Sequence, residues 1–168
     1  MRRKWIVTVL IAVIGVVFLT MYLNQSNTKA HPNVIIETQI SPVDDKTYDS
    51  IGSLEYVKNP EKDNFKLLKS LVKVTYPKNV QNVEIEFLKT YKELLGDDIY
   101  WTGEIWEYPH PDDNTIEHYH EIIIYTGETN EQQLKDMLSK GTMKVTWKEN
   151  EKVISEKHTL DEAVLFKK

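Results

Sequence analysis

Two histidines, His118 and His120, stand two residues apart in the stretch TIEHYHEIIIY, residues 115 to 125, with Glu117 and Glu121 beside them. On an extended strand, side chains two apart share a face. Two imidazoles joined there by a carboxylate from a neighbouring strand make a borderline ligand set, suited to zinc or a similar divalent ion. The neighbour is read from YWTGEIWEY, residues 100 to 108. Pairing Tyr108 with Ile116 brings Trp106 opposite His118 and Glu104 opposite His120, so the candidate metal set is His118, His120 and Glu104. The same register also opposes Glu107 to Glu117, and like charges facing across a strand pair are destabilising. A slip of one residue would turn every side chain to the other face. The plainer alternative is an edge-exposed His-x-His on a strand whose far end, IIIY, is buried on both faces. A third is a contact in which the histidines charge at about pH 6.5.

Other chemistry is sparser. His110, Asp112 and Asp113 in PHPDDN offer oxygen and nitrogen ligands but lack the glycine and the acidic spacing of a calcium loop, and turn formation explains them better. No nucleophile elbow, phosphate-binding loop, dinucleotide glycine pattern or H-E-x-x-H motif occurs in the chain. Glu104 with Glu107 or Glu117 can be written as a glycosidase pair, which keeps a hydrolase as the last-ranked reading. The chain contains no cysteine, which excludes disulfides, a thiolate nucleophile and cysteine zinc sites. The expectation is therefore a protein that is not an enzyme and has no cofactor, with zinc or a similar ion as the alternative. Aromatic residues crowd the same hairpin: Tyr100, Trp101, Trp106, Tyr108, Tyr119 and Tyr125. Alternation divides them between a core face and an exposed face, and Trp101, Trp106 and Tyr119 are the candidate binding surface for a glycan or protein partner.

The elements that must position these residues are mostly strands. NVIIETQI (33 to 40), SLEYVK (53 to 58) and FKLLKSLVKVTY (65 to 76) read as β-rich runs, the last with a competing helical pattern. Residues 100 to 108 and 115 to 125 form a hairpin, as do TMKVTWKE and KVISEKHTL around Asn150 and Glu151, and AVLF (163 to 166) is a final strand. Helices are expected at 82 to 95, with Gly96 as its stop, and at 130 to 140, capped by Thr129 or Asn130 and stopped by Gly141. The alternating start VEIEF argues against the first of these. The fold class expected is α+β: a small, predominantly antiparallel β domain with two short helices, for which a sandwich-like pair of sheets is one solution.

Ahead of that domain, residues 5 to 23 read WIVTVLIAVIGVVFLTMYL, nineteen residues without a charge. As a helix they reach roughly the 30 Å of a hydrocarbon core. Arg2, Arg3 and Lys4 precede the run, which orients the N-terminus toward the cytoplasm, and Trp5 and Tyr22 fall where interfacial aromatics sit. The plan is a cytoplasmic tail (1 to 4), a signal-anchor span (5 to 23), a polar tether (24 to 33) and an extracytoplasmic domain (34 to 168). The alternative is secretion after cleavage near Ala30.

All 26 acidic residues follow position 24, against 18 of the 21 basic ones, so the remainder carries a net charge of −8. Such a surface repels phosphates, and nucleic acid is not an expected partner. The reading as a whole is a single-pass membrane protein of the cell envelope, a non-enzymatic binding module for another envelope protein, with a metal-binding or metal-responsive surface protein as the alternative.

Overall fold

Strict alternation of large apolar side chains sets the central strand. In β2 (Phe65–Thr75), Leu68, Ser70, Val72 and Val74 are buried, while Leu67, Lys69, Leu71 and Lys73 between them are half-buried. A period of two of this kind fits a strand and not a helix. The computed structural model describes residues 31 to 167, all but the first of which belong to the compact unit Pro32–Lys168. The expected span, with Trp5 and Tyr22, lies outside the described residues; no helix among them is long and apolar enough to cross a membrane.

β1 (Asn33–Pro42) runs antiparallel to β2, placing Ile36, Thr38 and Ile40 opposite Val72, Ser70 and Leu68. On the other side β5 (Thr115–Tyr125) pairs antiparallel with β2, so His118, His120 and Ile122 continue the same rows. β4 (Tyr100–His110) closes one edge by pairing with β5. At the other edge β8 (Val164–Phe166) lies parallel to Thr38–Ile40 of β1. The resulting five-stranded order is β4-β5-β2-β1-β8. A second sheet, β3-β6-β7, is built from β3 (Gln81–Phe87), β6 (Thr142–Glu149) and β7 (Lys152–Thr159).

The two sheets meet on the face of the larger one that carries Leu68, Val72 and Ile122. Phe87 of β3 contacts the rings of His118 and His120, and Met143, Val145 and Trp147 of β6 are fully buried. Each such side chain contributes about 1.5–3 kcal/mol when removed from water. We call this face of the five-stranded sheet the inner face and the other the outer face. Tyr91 adds a polar seam to the inner face, its hydroxyl donating to Ser70 Oγ at 2.7 Å, while Thr38 Oγ1 donates to the same oxygen at 3.2 Å.

The expectation for 82 to 95 is corrected in part. Its alternating start forms β3, pairing Ile85 with Val145 and Phe87 with Met143, and only α2 (Tyr91–Leu95) is helical. Two periods competed there, and the partner strand β6 selected the period of two. Thr90 starts the helix through a capping box with Glu93. Residues 53 to 58 form no strand; Leu54 and Val57 instead pack against a small cluster of Val43, Ile51 and Phe65. That cluster sits under α1 (Asp45–Ser50), an additional short helix whose N-cap, Asp44, accepts a hydrogen bond from Thr47 N at 2.7 Å. It covers the outer face near Phe65 and Ile123. α3 (Glu131–Leu138) lies where expected, capped by Asn130, with Leu134 and Leu138 buried. The domain is thus β-rich, with two sheets and a few short helices.

Candidate functional site

The β4–β5 register decides the fate of the histidine stretch. Tyr108 lies opposite Glu117, one residue away from the expected pairing with Ile116. His118 then faces Glu107 and His120 faces Ile105 on the inner face, whereas Glu104 faces Glu121 on the outer one. The expected set of His118, His120 and Glu104 is split between two sides of the sheet. Among the described residues no group of three or more histidines and carboxylates is placed to hold a metal ion. The like-charge opposition of Glu107 and Glu117 also disappears; His118 Nε2 lies 3.6 Å from Glu107 Oε2 instead.

Nor is the stretch at an edge. β5 lies between β4 and β2, and His120 is only 3% exposed. Its ring sits 4.9 Å from the rings of both Phe87 and Tyr91, and neither of its nitrogens has a hydrogen-bond partner. Burial, aided by the neighbouring His118, lowers its pKa to about 4. Burial also lowers that of His118, against the opposing pull of Glu107. Charging at about pH 6.5 is therefore not favoured in the folded state, and His120 acts as a neutral aromatic wedge between the sheets.

The outer face carries a different arrangement. Because opposed residues share a face, the registers assemble cross-strand rows. One row is Glu37, Leu71, Tyr119 and Trp106; its neighbours are Gln39, Lys69, Glu121 and Glu104, and Ile35, Lys73, Glu117 and Tyr108. Trp106 and Tyr119 lean together with ring centres 5.6 Å apart. Lys69 Nζ lies 2.9 Å from Glu121 and Lys73 Nζ 2.8 Å from Glu117, so the Leu71, Tyr119 and Trp106 part of the first row is bordered on each side by an ion pair. Glu117 is held below its ordinary pKa chiefly by the hydrogen bond from Lys73, and Lys69 above its own by the hydrogen bond to Glu121.

Two hollows open on this face. A groove of about 680 Å³ is lined by Glu37, Gln39, Lys69, Leu71, Tyr119 and Leu165, among others. A cavity of about 280 Å³ lies between α1 and the hairpin, over Leu67 and Ile123, with Glu104, Trp106 and Glu121 in its wall. Lys69 borders the first and Glu121 the second, so their ion pair is the ridge between them.

Of the three expected surface aromatics, Trp106 and Tyr119 line these hollows. Trp101 does not: it packs edge-on against Phe65 at 5.7 Å and donates its indole N–H to Ile51 O at 2.8 Å. A register shift between Tyr100 and Thr102 lets Trp101 and Trp106, an odd number of residues apart, both turn to the outer side. Sequence reasoning missed Glu37, Gln39, Lys69, Leu71 and Leu165. The signal for Lys69 was present, because Lys69 and Lys73, four apart, match Glu121 and Glu117, four apart, in an antiparallel pair. No protein-family model matches the chain, and a search of curated proteins returns no significant match.

Proposed function

We propose that the chain is a non-enzymatic binding module of the cell envelope, in which one N-terminal span holds a sandwich-like β domain outside the membrane. The open outer face of the five-stranded sheet is the surface that receives another envelope protein. The observation that carries this reading is the groove of about 680 Å³ beside Tyr119, lined by apolar and hydrogen-bonding side chains together. Its size lies within the range of binding clefts, and it sets Tyr119, Leu71, Val164 and Leu165 among polar side chains, a mixture that such clefts use. The address rests on the uncharged run from Trp5 to Leu23 behind Arg2, Arg3 and Lys4.

The test is photo-crosslinking in intact cells from an amino acid placed at Tyr119, with Val153 on the smaller sheet, 73% exposed, as the control position. One discrete adduct from position 119 and none from 153 is the expected result. Equal or absent labelling at both positions would sink the docking role. Digestion of the C-terminal half by protease added to unbroken cells tests the address.

A further inference from the structure

The outer face is acidic in a way the fold leaves uncorrected. Its rows hold four carboxylates, Glu37, Glu104, Glu117 and Glu121, and two lysines. Lys69 is engaged by Glu121 and Lys73 by Glu117; among the described residues Glu37 and Glu104 have no ion pair. Glu104 moreover faces Glu121 directly across β4 and β5. Opposed like charges cost stability in a sheet; Lys69 balances Glu121 and leaves Glu104 as excess negative charge, and a local rule broken in this way inside a fold is where a ligand is to be sought.

At that spot the 280 Å³ cavity opens, with the Trp106 side chain, the hydroxyl residues Thr47, Ser50 and Thr102, and both carboxylates in its wall. A planar guanidinium suits this surrounding better than a compact ammonium. It spreads five N–H donors over several oxygens and stacks on an indole face, which attracts a cation. The next row leads from Trp106 over Tyr119 and Leu71 to Glu37, three strand spacings away, roughly 14 Å. An extended chain covers roughly 13 Å in four residues and points residues i, i+2 and i+4 to one side.

Resting on the binding-module reading above, we propose that the partner docks through an extended segment of the pattern Arg-x-apolar-x-Arg. The first guanidinium sits between Glu104 and Glu121 over Trp106, the apolar side chain lies on Tyr119 and Leu71, and the second cation meets Glu37. The net charge of −8 beyond position 24 draws such a segment in from a distance.

The test uses the full-length chain in lipid nanodiscs and fluorescein-labelled peptides GRTLTRG, GKTLTKG and GETLTEG in anisotropy titrations, with cellopentaose as a neutral competitor. GRTLTRG binds best, GKTLTKG more weakly and GETLTEG not at all, and added salt weakens the first two. Glu104→Gln weakens GRTLTRG about tenfold, as expected for one charge-assisted pair, without lowering the melting temperature. Trp106→Leu weakens it in the same direction. The proposal is overturned if no saturable binding occurs at millimolar peptide, if GETLTEG binds equally, if Glu104→Gln leaves affinity unchanged, or if cellopentaose displaces the peptide. Should the Tyr119 crosslink in cells persist while the peptides fail, the docking face stands and its arginine chemistry falls; loss of both removes the two together.

Discussion

Glu104 and Glu121 face each other across the β4–β5 pair, and Lys69 Nζ, 2.9 Å from Glu121, approaches from β2 on the side away from Glu104. The fold therefore keeps one carboxylate beside another where a neutral residue would serve the sheet better. Glu104→Gln should raise stability by a few tenths of a kcal/mol, up to about 1 kcal/mol. The urea midpoint at low salt reads this, and a fall in midpoint would mean that Glu104 has a stabilising partner. The same substitution is expected to weaken the peptide, so stability and binding move in opposite directions, a sign that loss of folding does not produce.

His120 carries the acid sensitivity. Its pKa is about 4 in the folded protein and about 6.5 in the unfolded chain, so between these values the unfolded chain binds a proton that the folded one does not. Stability is then complete above about pH 6.5 and falls as the pH drops toward 4, by up to about 3 kcal/mol. The lowered pKa of His118 acts in the same direction. His120→Leu removes the titrating group and its two unpartnered nitrogens. Urea midpoints at about pH 7.5 and pH 4.5 should differ much less in this variant than in the parent; an unchanged difference would assign the acid loss elsewhere.

Because His118 and His120 lie on one face of the hairpin and Glu104 on the other, zinc should not stabilise the domain through them. The melting temperature with zinc and with chelator should agree within about 2 °C, in the parent and in His118→Ala alike, since a specific ligand raises it by mass action. A zinc-dependent rise that His118→Ala abolishes would restore the metal site.

Gly103 is required by close approach. A Cβ there would lie 2.9 Å from Ile122 Cγ1 and 3.0 Å from both Glu121 O and Tyr100 Oη. The backbone oxygen cannot retreat without distorting the β4–β5 ladder. Gly103→Ala should cost about 1–3 kcal/mol, read as a lower urea midpoint. A neutral result would mean that β4 shifts freely.

Trp101 ties α1 and its following turn to the sheet, through its N–H bond to Ile51 O and its edge contact with Phe65. Trp101→Phe keeps most of the apolar area and deletes the hydrogen bond, at a cost of about 1 kcal/mol. Limited proteolysis within residues 51 to 64 should accelerate in this variant. If it does not, the segment is held by Leu54, Val57 and Tyr48 alone.

Much of the domain was legible in local pattern. β1, the hairpins β4–β5 and β6–β7, β8 and the helix behind Asn130 follow from alternation, turn residues and caps, all of which act over a few neighbouring residues. The segment 82 to 95 was ambiguous because VEIEF alternates while Leu88, Tyr91 and Leu95 keep helical spacing. Pairing with β6 resolved it. SLEYVK has strand composition but gains no partner strand, since the chain there runs over the Phe65 cluster.

The sequence by itself determined which residues alternate, that two lysines and two glutamates match at a spacing of four, and that the charge beyond position 24 is acidic. Only the tertiary structure decided which carboxylate meets which histidine. The four residues Pro111 to Asn114, with Asn114 in the left-handed region at φ 48°, close the hairpin one residue away from the expected pairing. One residue of register reverses every side chain of a strand. The register moved Glu104 and Trp106 to the open face beside Tyr119, while pairing with β2 and the covering second sheet buried His120 and half-buried His118. Periodicity is a property of the single strand, whereas register belongs to the turn and the partner, which the single strand does not encode.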